Sequence, residues 1–245
     1  MEDFASLRNK LIELTKKQLG EAVSEDILII QALASVDELT VSLNTLSKRL
    51  REWFGYILPE LGHKINDHES FIRLIVSKSF DELLKEFAPK GSMGIKLPDE
   101  DLNIVKEFSE KIYSLYKEKE SLIKYLDLKL DSFMPNTKAL LGSTISARLL
   151  SGAGSLKSLT RLPASTIQLL GAEKALFRHL KTGARSPKYG YIFSHQLIQN
   201  AKSVDKGRVA RSLADKASIC VKLDFFKGDF LGEKYLKDLE AKFRK

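Results

Sequence analysis

The first half of the chain carries hydrophobic residues at alternating steps of four and three positions. This spacing gives a helix a single apolar seam, and it lies close to the 3.5-residue repeat of coiled coils. The pattern predicts one helix from about Glu25 to Leu58, and Pro59 ends it because proline interrupts helical hydrogen bonding. The seam consists of Leu39, Leu43, Leu46, Leu50, Phe54 and Ile57.

Two later patterns of the same kind predict an antiparallel hairpin. One covers residues 71–87, and the other covers residues 105–133. Because only the short loop 89–98 joins them, the two helices are expected to fold back on each other as a coiled-coil arm with its tip near 92–94. The alternative interpretation is that they are ordinary core helices of one bundle.

Beyond Pro135 the segments become short, and Gly, Ser and Thr separate them. Asp205 fits an N-cap position, and residues 189–193 are the one stretch that could form a strand. The sequence therefore predicts an all-α chain, with long helices and the arm in residues 1–134 and a compact helical domain in residues 135–245. The helices predicted in the second part cover about 143–151, 154–161, 164–170, 172–182, 195–200, 205–223 and 232–243.

The composition is that of a folded chain. Its 245 residues are 43% hydrophobic, which supports a packed core. No apolar run approaches the roughly 18–20 residues of a membrane span, and the acidic start, residues 1–4, lacks the features of a signal peptide. We therefore expect a soluble, cytoplasmic protein without membrane contact. The single cysteine, Cys220, excludes an intrachain disulfide and is predicted to be a buried, inert thiol.

The net charge of +8 hides an asymmetry between the two halves. Residues 135–245 carry 21 Lys and Arg against 8 Asp and Glu, whereas residues 1–134 carry 19 against 24. Within residues 135–204 the only acid is Glu173. A field of this kind attracts polyanions, and nucleic acid is the favoured partner. A solubilising surface is the alternative, although such surfaces usually mix both signs. An acidic protein or membrane is a further alternative.

Residue patterns typical of catalytic or metal sites are few in this sequence. The four histidines, at positions 63, 68, 179 and 195, do not have the spacing of metal ligands, so no metal or other cofactor is expected. The segment 152–158 contains glycines and a lysine but lacks the spacing of a phosphate-binding loop. The sequence thus predicts a non-enzymatic protein.

The segment 172–182 predicts a helix with two neighbouring faces. Lys174, Arg178 and Lys181 are spaced by four and three residues and share one face. Leu176, Phe177 and Leu180 share the next. A basic stripe beside an apolar one can bind phosphates while it packs on a base or a protein, and the first-turn amides can face a phosphate. The alternative is a core helix with solvated lysines.

The following segment, 185–195, mixes basic and aromatic residues. Aromatic rings interleaved with Arg and Lys suit unpaired bases and the RNA backbone. We expect Tyr191 and Phe193 to belong to the core, which leaves Arg185, Lys188 and His195 as candidates for RNA contact.

These segments together resemble the Nop domain, found in core proteins of box C/D small ribonucleoproteins and in a related splicing factor. The most specific pieces are Gly-Ala-Glu-Lys at 171–174 and Ala-Leu-Phe-Arg at 175–178. The resemblance covers roughly residues 40–230, and further matching pieces lie at 51–56, 58–61, 139–142, 149–156, 163–183 and 187–193.

The resemblance implies a scaffold that docks on a box C/D kink-turn RNA together with a kink-turn-binding protein of the ribosomal type. It also implies pairing with a second copy through the coiled coil, and support of 2′-O-methylation by the methyltransferase fibrillarin. The family's N-terminal domain, which holds fibrillarin, finds no match here, so direct binding of fibrillarin is an open expectation. The chain also lacks the Lys/Glu-rich tail of eukaryotic nucleolar members and looks archaeal.

The resemblance and the charge pattern together define two sets of candidate site residues. The expected RNA contacts are Gly171, Ala172, Glu173, Lys174, Arg178, Lys181, Arg185, Lys188, Ser194 and His195. The expected protein contacts are Ala175, Leu176, Phe177, Arg161 and Lys157. An alternative function is a coiled-coil dimerisation module whose basic half binds an acidic protein.

Overall fold

A computed structural model describes residues 4–22 and 24–243 of the chain. The described residues form fourteen α-helices and one 3-10 helix and contain no strand, so the prediction of an all-α chain is confirmed. None of these helices is long and apolar enough to cross a membrane. The residues 1–3, used above to argue against a signal peptide, lie outside the described part.

The helices of the first half include two long ones, α2 and α6, as the hydrophobic spacing predicted. The bounds are α1 Phe4–Ala22, α2 Glu25–Gly55, α3 Pro59–Lys64, α4 His68–Ser77, α5 Phe80–Phe87 and α6 Asp99–Phe133. Those of the second half are α7 Pro135–Leu141, α8 Ser143–Ala153, α9 Leu156–Arg161, α10 Ala164–Leu169, α11 Glu173–Thr182, the 3-10 helix Tyr191–Ser194, α12 Gln196–Gln199, α13 Lys206–Phe226 and α14 Gly232–Phe243.

The chain divides into two units, one of residues 34–125 and one that joins residues 1–33 to 126–245. In the first unit α2 and α6 run antiparallel: the Trp53 ring lies 6.3 Å from that of Phe108, and the hydroxyl groups of Ser47 and Tyr116 are 3.2 Å apart. The long helices thus pair with each other. The core of this unit consists of Leu43, Leu50, Phe54, Ile57, Leu58, Leu61, Phe71, Ile72, Ile75, Leu83, Val105 and Ile112.

The second hydrophobic pattern forms two short helices instead of one. The chain leaves helical geometry after α4, and Ser79 starts α5 with a capping box. Its hydroxyl accepts the amide of Glu82, and the Glu82 carboxylate accepts the amide of Ser79. The predicted hairpin between residues 71–87 and 105–133 stays a prediction: Leu83 of α5 shares the core with Val105 of α6, and α2 is a further long neighbour of α6.

The other unit is built around α13, which buries one side along its whole length. α10, α7, α9 and α14 pack against it. Three alanines in its buried face, Ala210, Ala214 and Ala217, let neighbouring helices approach closely. Asp205 does not cap this helix as predicted: its backbone is helical, and its carboxylate pairs with Arg208 at 2.9 Å.

A buried polar network fixes α7, a helix that the sequence analysis did not predict. The Asp224 carboxylate accepts the backbone amides of Asn136 and Thr137, both at 2.9 Å, and the Thr137 hydroxyl at 2.6 Å. The Asn136 side-chain oxygen in turn accepts the amides of Leu231 and Gly232. The first turn of α7 is thus capped from α13, and the network links it to α14.

Candidate RNA and protein interface

None of the ten residues of helix α11 is buried, and much of its surface is exposed. Phe177 is 61% exposed and Leu180 is 69% exposed. A helix on the surface of a globular protein usually buries its apolar face. Here that face is open, which rules out the core-helix interpretation and leaves room for a partner.

The basic stripe of α11 is also free. Lys174, Arg178 and Lys181 are exposed, and within the described part of the chain none of them forms an ion pair. Their positive charges therefore remain unneutralised beside the apolar face. A polyanion such as an RNA backbone fits this combination.

Two glycines place α11 at its starting position. Gly171 has a φ of +91°, and a Cβ there would lie 2.6 Å from the ring of Tyr191. At Gly190 a Cβ would lie 2.0 Å from the carbonyl oxygen of Leu170, so only glycine allows the two segments to approach. The amide of Tyr191 donates to the same Leu170 carbonyl at 2.7 Å. The loop before α11 is thereby held against the 3-10 helix.

The first turn of α11 receives no side-chain cap from Ala172. The Glu173 carboxylate instead reaches back and accepts the amide of Gly171 at 2.6 Å. A carboxylate in the first turn already satisfies part of the helix dipole, so Glu173 competes with an incoming phosphate at this end. The positive side chains along the helix are the stronger anion-binding feature.

Residues 185–195 present aromatic and basic groups together. The rings of Tyr189 and Phe193 stack at 4.5 Å with an interplanar angle of 10°, and the Lys206 ammonium lies 5.4 Å from the Phe193 ring. Arg185 and Lys188 are exposed. The prediction that Phe193 belongs to the core is wrong, because it is 37% exposed and the chain forms a 3-10 helix here.

The buried residue of that 3-10 helix is Ile192, and Tyr191 is half-buried. The stretch that could have formed a short strand therefore contributes to a 3-10 helix, in keeping with the predicted all-α chain. Lys206, at the start of α13, also belongs to this surface and was not among the predicted contacts. Near Lys206 in the sequence, only its positive charge indicated such a role, because the tertiary fold places it beside Phe193.

The side chains of His195 and Ser194 both form hydrogen bonds within the protein. The Nδ1 atom of His195 accepts the amide of Leu197 at 3.2 Å, so Nε2 carries the proton and donates to the Leu140 carbonyl at 3.1 Å. Burial lowers the pKa of His195, which favours this neutral form. The ring thus connects α12 to α7, and this geometry favours a structural role over the predicted RNA contact. The exposed Ser194 hydroxyl donates to the Tyr191 carbonyl at 3.0 Å.

The predicted protein contacts fall into two places. Ala175 and Leu176 are half-buried on α11, next to the exposed Phe177. Lys157 and Arg161 are exposed on α9. Lys157 lines a separate groove at the C-terminal end of α13, so the structure does not group it with α11.

Among residues 4–22 and 24–243, no group of three His, Cys, Asp or Glu side chains could hold a metal ion. Cys220 is buried as predicted, and its burial raises the pKa of the thiol to about 12.

The fold and the exposed helix define a helical module that offers a charged and an apolar contact surface side by side. Residues 35–245 match the Nop family, whose domain is described as "snoRNA binding domain, fibrillarin". The chain belongs to the Nop family, as the sequence resemblance indicated.

Relatives of this family occur in distant organisms. An uncharacterised NOP5 family protein of Methanocaldococcus jannaschii is 40% identical over 94% of this chain and 59% of its own length. Nucleolar protein 58 of Candida albicans is 40% identical over 82% of this chain and 42% of its own length. Human nucleolar protein 56 is 39% identical over 89% of this chain and 40% of its own length.

The chain therefore spans between about two fifths and three fifths of these relatives. A solved structure titled as a fibrillarin/Nop5p complex superposes with a TM-score of 0.59 over 98% of this chain and 78% of the other, at 24% identity. This similarity supports the fold.

Proposed function

We propose that this chain is a non-catalytic scaffold of a box C/D guide ribonucleoprotein, which binds kink-turn RNA jointly with a kink-turn-binding protein. The observation that carries the proposal is the exposure of α11: its basic stripe lies beside an apolar face on which Phe177 and Leu180 are exposed. Membership of a family described by snoRNA binding supports RNA as the polyanion.

In this proposal one face of α11 binds RNA and the adjacent face binds the kink-turn-binding protein. Lys174, Arg178 and Lys181 contact phosphates, and Arg185 and Lys188 extend the same basic surface. On the adjacent face Phe177, with Ala175 and Leu176 beside it, contacts the kink-turn-binding protein. An exposed phenylalanine contributes binding energy only when a partner removes it from water.

A gel shift with a kink-turn RNA, in the presence and absence of the kink-turn-binding protein, tests the joint surface. We expect tighter binding to the RNA–protein complex than to bare RNA, because only the complex covers Phe177. Phe177→Ala should remove most of this difference. The matched control Ile104→Ala changes a residue of similar exposure in the other unit and should leave it unchanged. Equal affinity of the wild type for both targets would refute the joint surface.

Self-association through the unit of residues 34–125 is a second part of the proposal. The Ile95 amide donates to the Tyr56 carbonyl at 2.8 Å, which holds the two exposed side chains close together, and the neighbouring Met93 is also exposed. A second copy of the chain would cover this apolar patch.

Light scattering at micromolar concentration measures the oligomer directly. Met93→Asp should shift the wild-type dimer towards monomer, whereas Val204→Asp should not, although Met93 and Val204 are both 91% exposed. A wild-type protein that is monomeric throughout the range would contradict self-association.

In the assembled particle the scaffold supports 2′-O-methylation of RNA by fibrillarin, in an archaeal cytoplasm. A pull-down with purified fibrillarin, with and without guide RNA, tests whether the contact is direct or depends on RNA. Ribonuclease treatment of material that co-purifies with the chain separates the proposal from the alternative of an acidic protein partner, which should survive digestion.

A further inference from the structure

A groove of about 710 Å³ lies at the C-terminal end of α13, within the unit that contains the basic domain. Two phenylalanine rings, Phe133 and Phe225, line it together with two lysines, Lys157 and Lys227. Nothing in the proposed role of α11 uses this groove. Its volume lies within the usual range of small-ligand sites.

Two of the three carboxylates that line the groove accept hydrogen bonds from backbone amides, and the third lies near a lysine. Asp224 accepts three hydrogen bonds from the first turn of α7, as described above. Asp26 accepts the amide of Leu156 at 3.2 Å, and Glu25 lies 3.6 Å from the ammonium of Lys129. Their negative charges are therefore partly neutralised or turned towards internal donors.

The two lysines of the groove have no such partners. Lys157 and Lys227 are exposed, and neither forms an ion pair within the described residues. The last carbonyls of α13 also lie here and favour cations, so an anion must contact the lysine side chains and not the helix end. The groove thus offers two cationic contacts beside aromatic rings.

The aromatic surface continues outside the groove. The rings of Phe225 and Phe226 meet edge to face at 5.1 Å, and Phe226 is 74% exposed. Phe230, on the loop that follows α13, is also exposed. Aromatic faces flanked by lysines bind single-stranded nucleic acid, because every base can stack and every nucleotide carries a phosphate.

We propose that this groove binds an unstacked base and its phosphate from a single-stranded stretch of RNA. The inference rests on the proposed function in that RNA is the partner of this unit, and it adds a second, separate contact. Gly207 lies beside the Lys188 side chain, and α13 rises about 27 Å from there to Phe225 at 1.5 Å per residue. The groove therefore contacts nucleotides other than those near Lys188.

Fluorescence anisotropy of the full chain with a short labelled oligouridine, which contains no kink-turn, tests the groove. Phe225→Ala should weaken binding by roughly 5- to 150-fold, the fold-change that corresponds to about 1–3 kcal/mol per stacked base. Lys227→Asn and Lys157→Gln should each flatten the salt dependence of log K by about 0.7. Asparagine tolerates the left-handed backbone of Lys227, whose φ is +53°, so this variant keeps the fold.

The matched control is Lys234→Gln, which removes an exposed lysine of α14 outside the groove and should leave the affinity nearly unchanged. Circular dichroism verifies that each variant is folded. Loss of affinity in Phe225→Ala and in the folded Lys227→Asn supports the groove.

Two results would overturn the inference. The first is that the chain does not bind oligouridine, or that the Phe225 and Lys227 variants bind it as tightly as the wild type. If the kink-turn gel shift still succeeds in that case, the proposed function stands without the groove. The other is displacement of the oligouridine by polyglutamate with no effect of Phe225→Ala, which would indicate a site for an acidic protein. Conversely, failure of the kink-turn gel shift alone would count against α11 and not against the groove.

Discussion

Replacing Gly171 with alanine tests whether the backbone at the start of α11 controls its placement. The φ of +91° costs an L-residue about 1–2 kcal/mol. The new Cβ would lie 2.6 Å from the Tyr191 ring, and overpacking of this kind typically costs about 1–3 kcal/mol. The free energy of unfolding should therefore fall by about 2–5 kcal/mol, which lowers Tm by about 4–20 °C in a domain of this size.

Gly183, at the other end of α11, provides the matched control. Its φ is +68°, but a Cβ there meets no atom within 4 Å. Gly183→Ala should therefore cost only the conformational part, about 1–2 kcal/mol. Combining Gly171→Ala with Tyr191→Ala should remove the steric part, so the double variant should be less destabilised than the sum of the two single changes.

Thermal unfolding followed by circular dichroism measures these differences, and the gel shift with the RNA–protein complex measures their effect on binding. The fluorescence of Trp53 reports the unit of residues 34–125 and should change least. The steric argument is refuted if Gly171→Ala and Gly183→Ala are equally stable, or if the changes at Gly171 and Tyr191 are additive.

Three further predictions concern single side chains. Lys181→Ala should flatten the dependence of log K on log salt by roughly 0.7–0.9 in an RNA titration, and an unchanged slope would contradict a phosphate contact. Because burial raises the pKa of the Cys220 thiol to about 12, a thiol reagent at neutral pH should label it only after unfolding; rapid labelling of the native protein would contradict this. Burial lowers the pKa of His195, so its stabilising contribution is complete above the unfolded pKa of about 6.5 and is lost as the pH falls towards the folded value. Urea unfolding of His195→Asn should show a smaller loss of stability on acidification than the wild type, and an identical loss would show that other groups are responsible.

Much of the fold was accessible from the sequence because local patterns specify it. The seam in residues 39–57 predicted a helix from Glu25 to Leu58, and α2 spans Glu25–Gly55. The break between α4 and α5 was also encoded locally, since Ser79 and Glu82 form the three-residue spacing of a capping box. The hydrophobic spacing did not reveal the break, because α4 and α5 both turn their apolar residues towards the same core.

The features that the sequence did not reveal have long-range causes. α7 begins with a proline, and the carboxylate that caps it belongs to Asp224, so no sequence window around α7 contains its cap. The choice of α2 as the partner of α6 likewise depends on contacts such as that between Ser47 and Tyr116. Loop length is a local quantity and does not determine which long helix lies alongside another.

The candidate site was predictable in its residues and less so in its geometry. The spacing of Lys174, Arg178 and Lys181 defined the stripe, and the structure leaves it exposed. Burial within the 3-10 helix could not be inferred from a basic, aromatic segment, because Ile192 and Phe193 are both apolar and only packing distinguishes them. The position of Lys206 over Phe193 depends on the same packing.

The division of the chain into a continuous and a discontinuous unit has a consequence for its biosynthesis. Residues 34–125 are contiguous and can fold as soon as the ribosome releases them. The other unit must wait, because Asp26 bonds to Leu156 across 130 positions and Asn136 bonds to Gly232 near the end of the chain. Incomplete chains would therefore carry the basic residues of this unit before the unit has folded and fixed their positions. We expect this unit to reach its folded form only after residue 232 has left the ribosome.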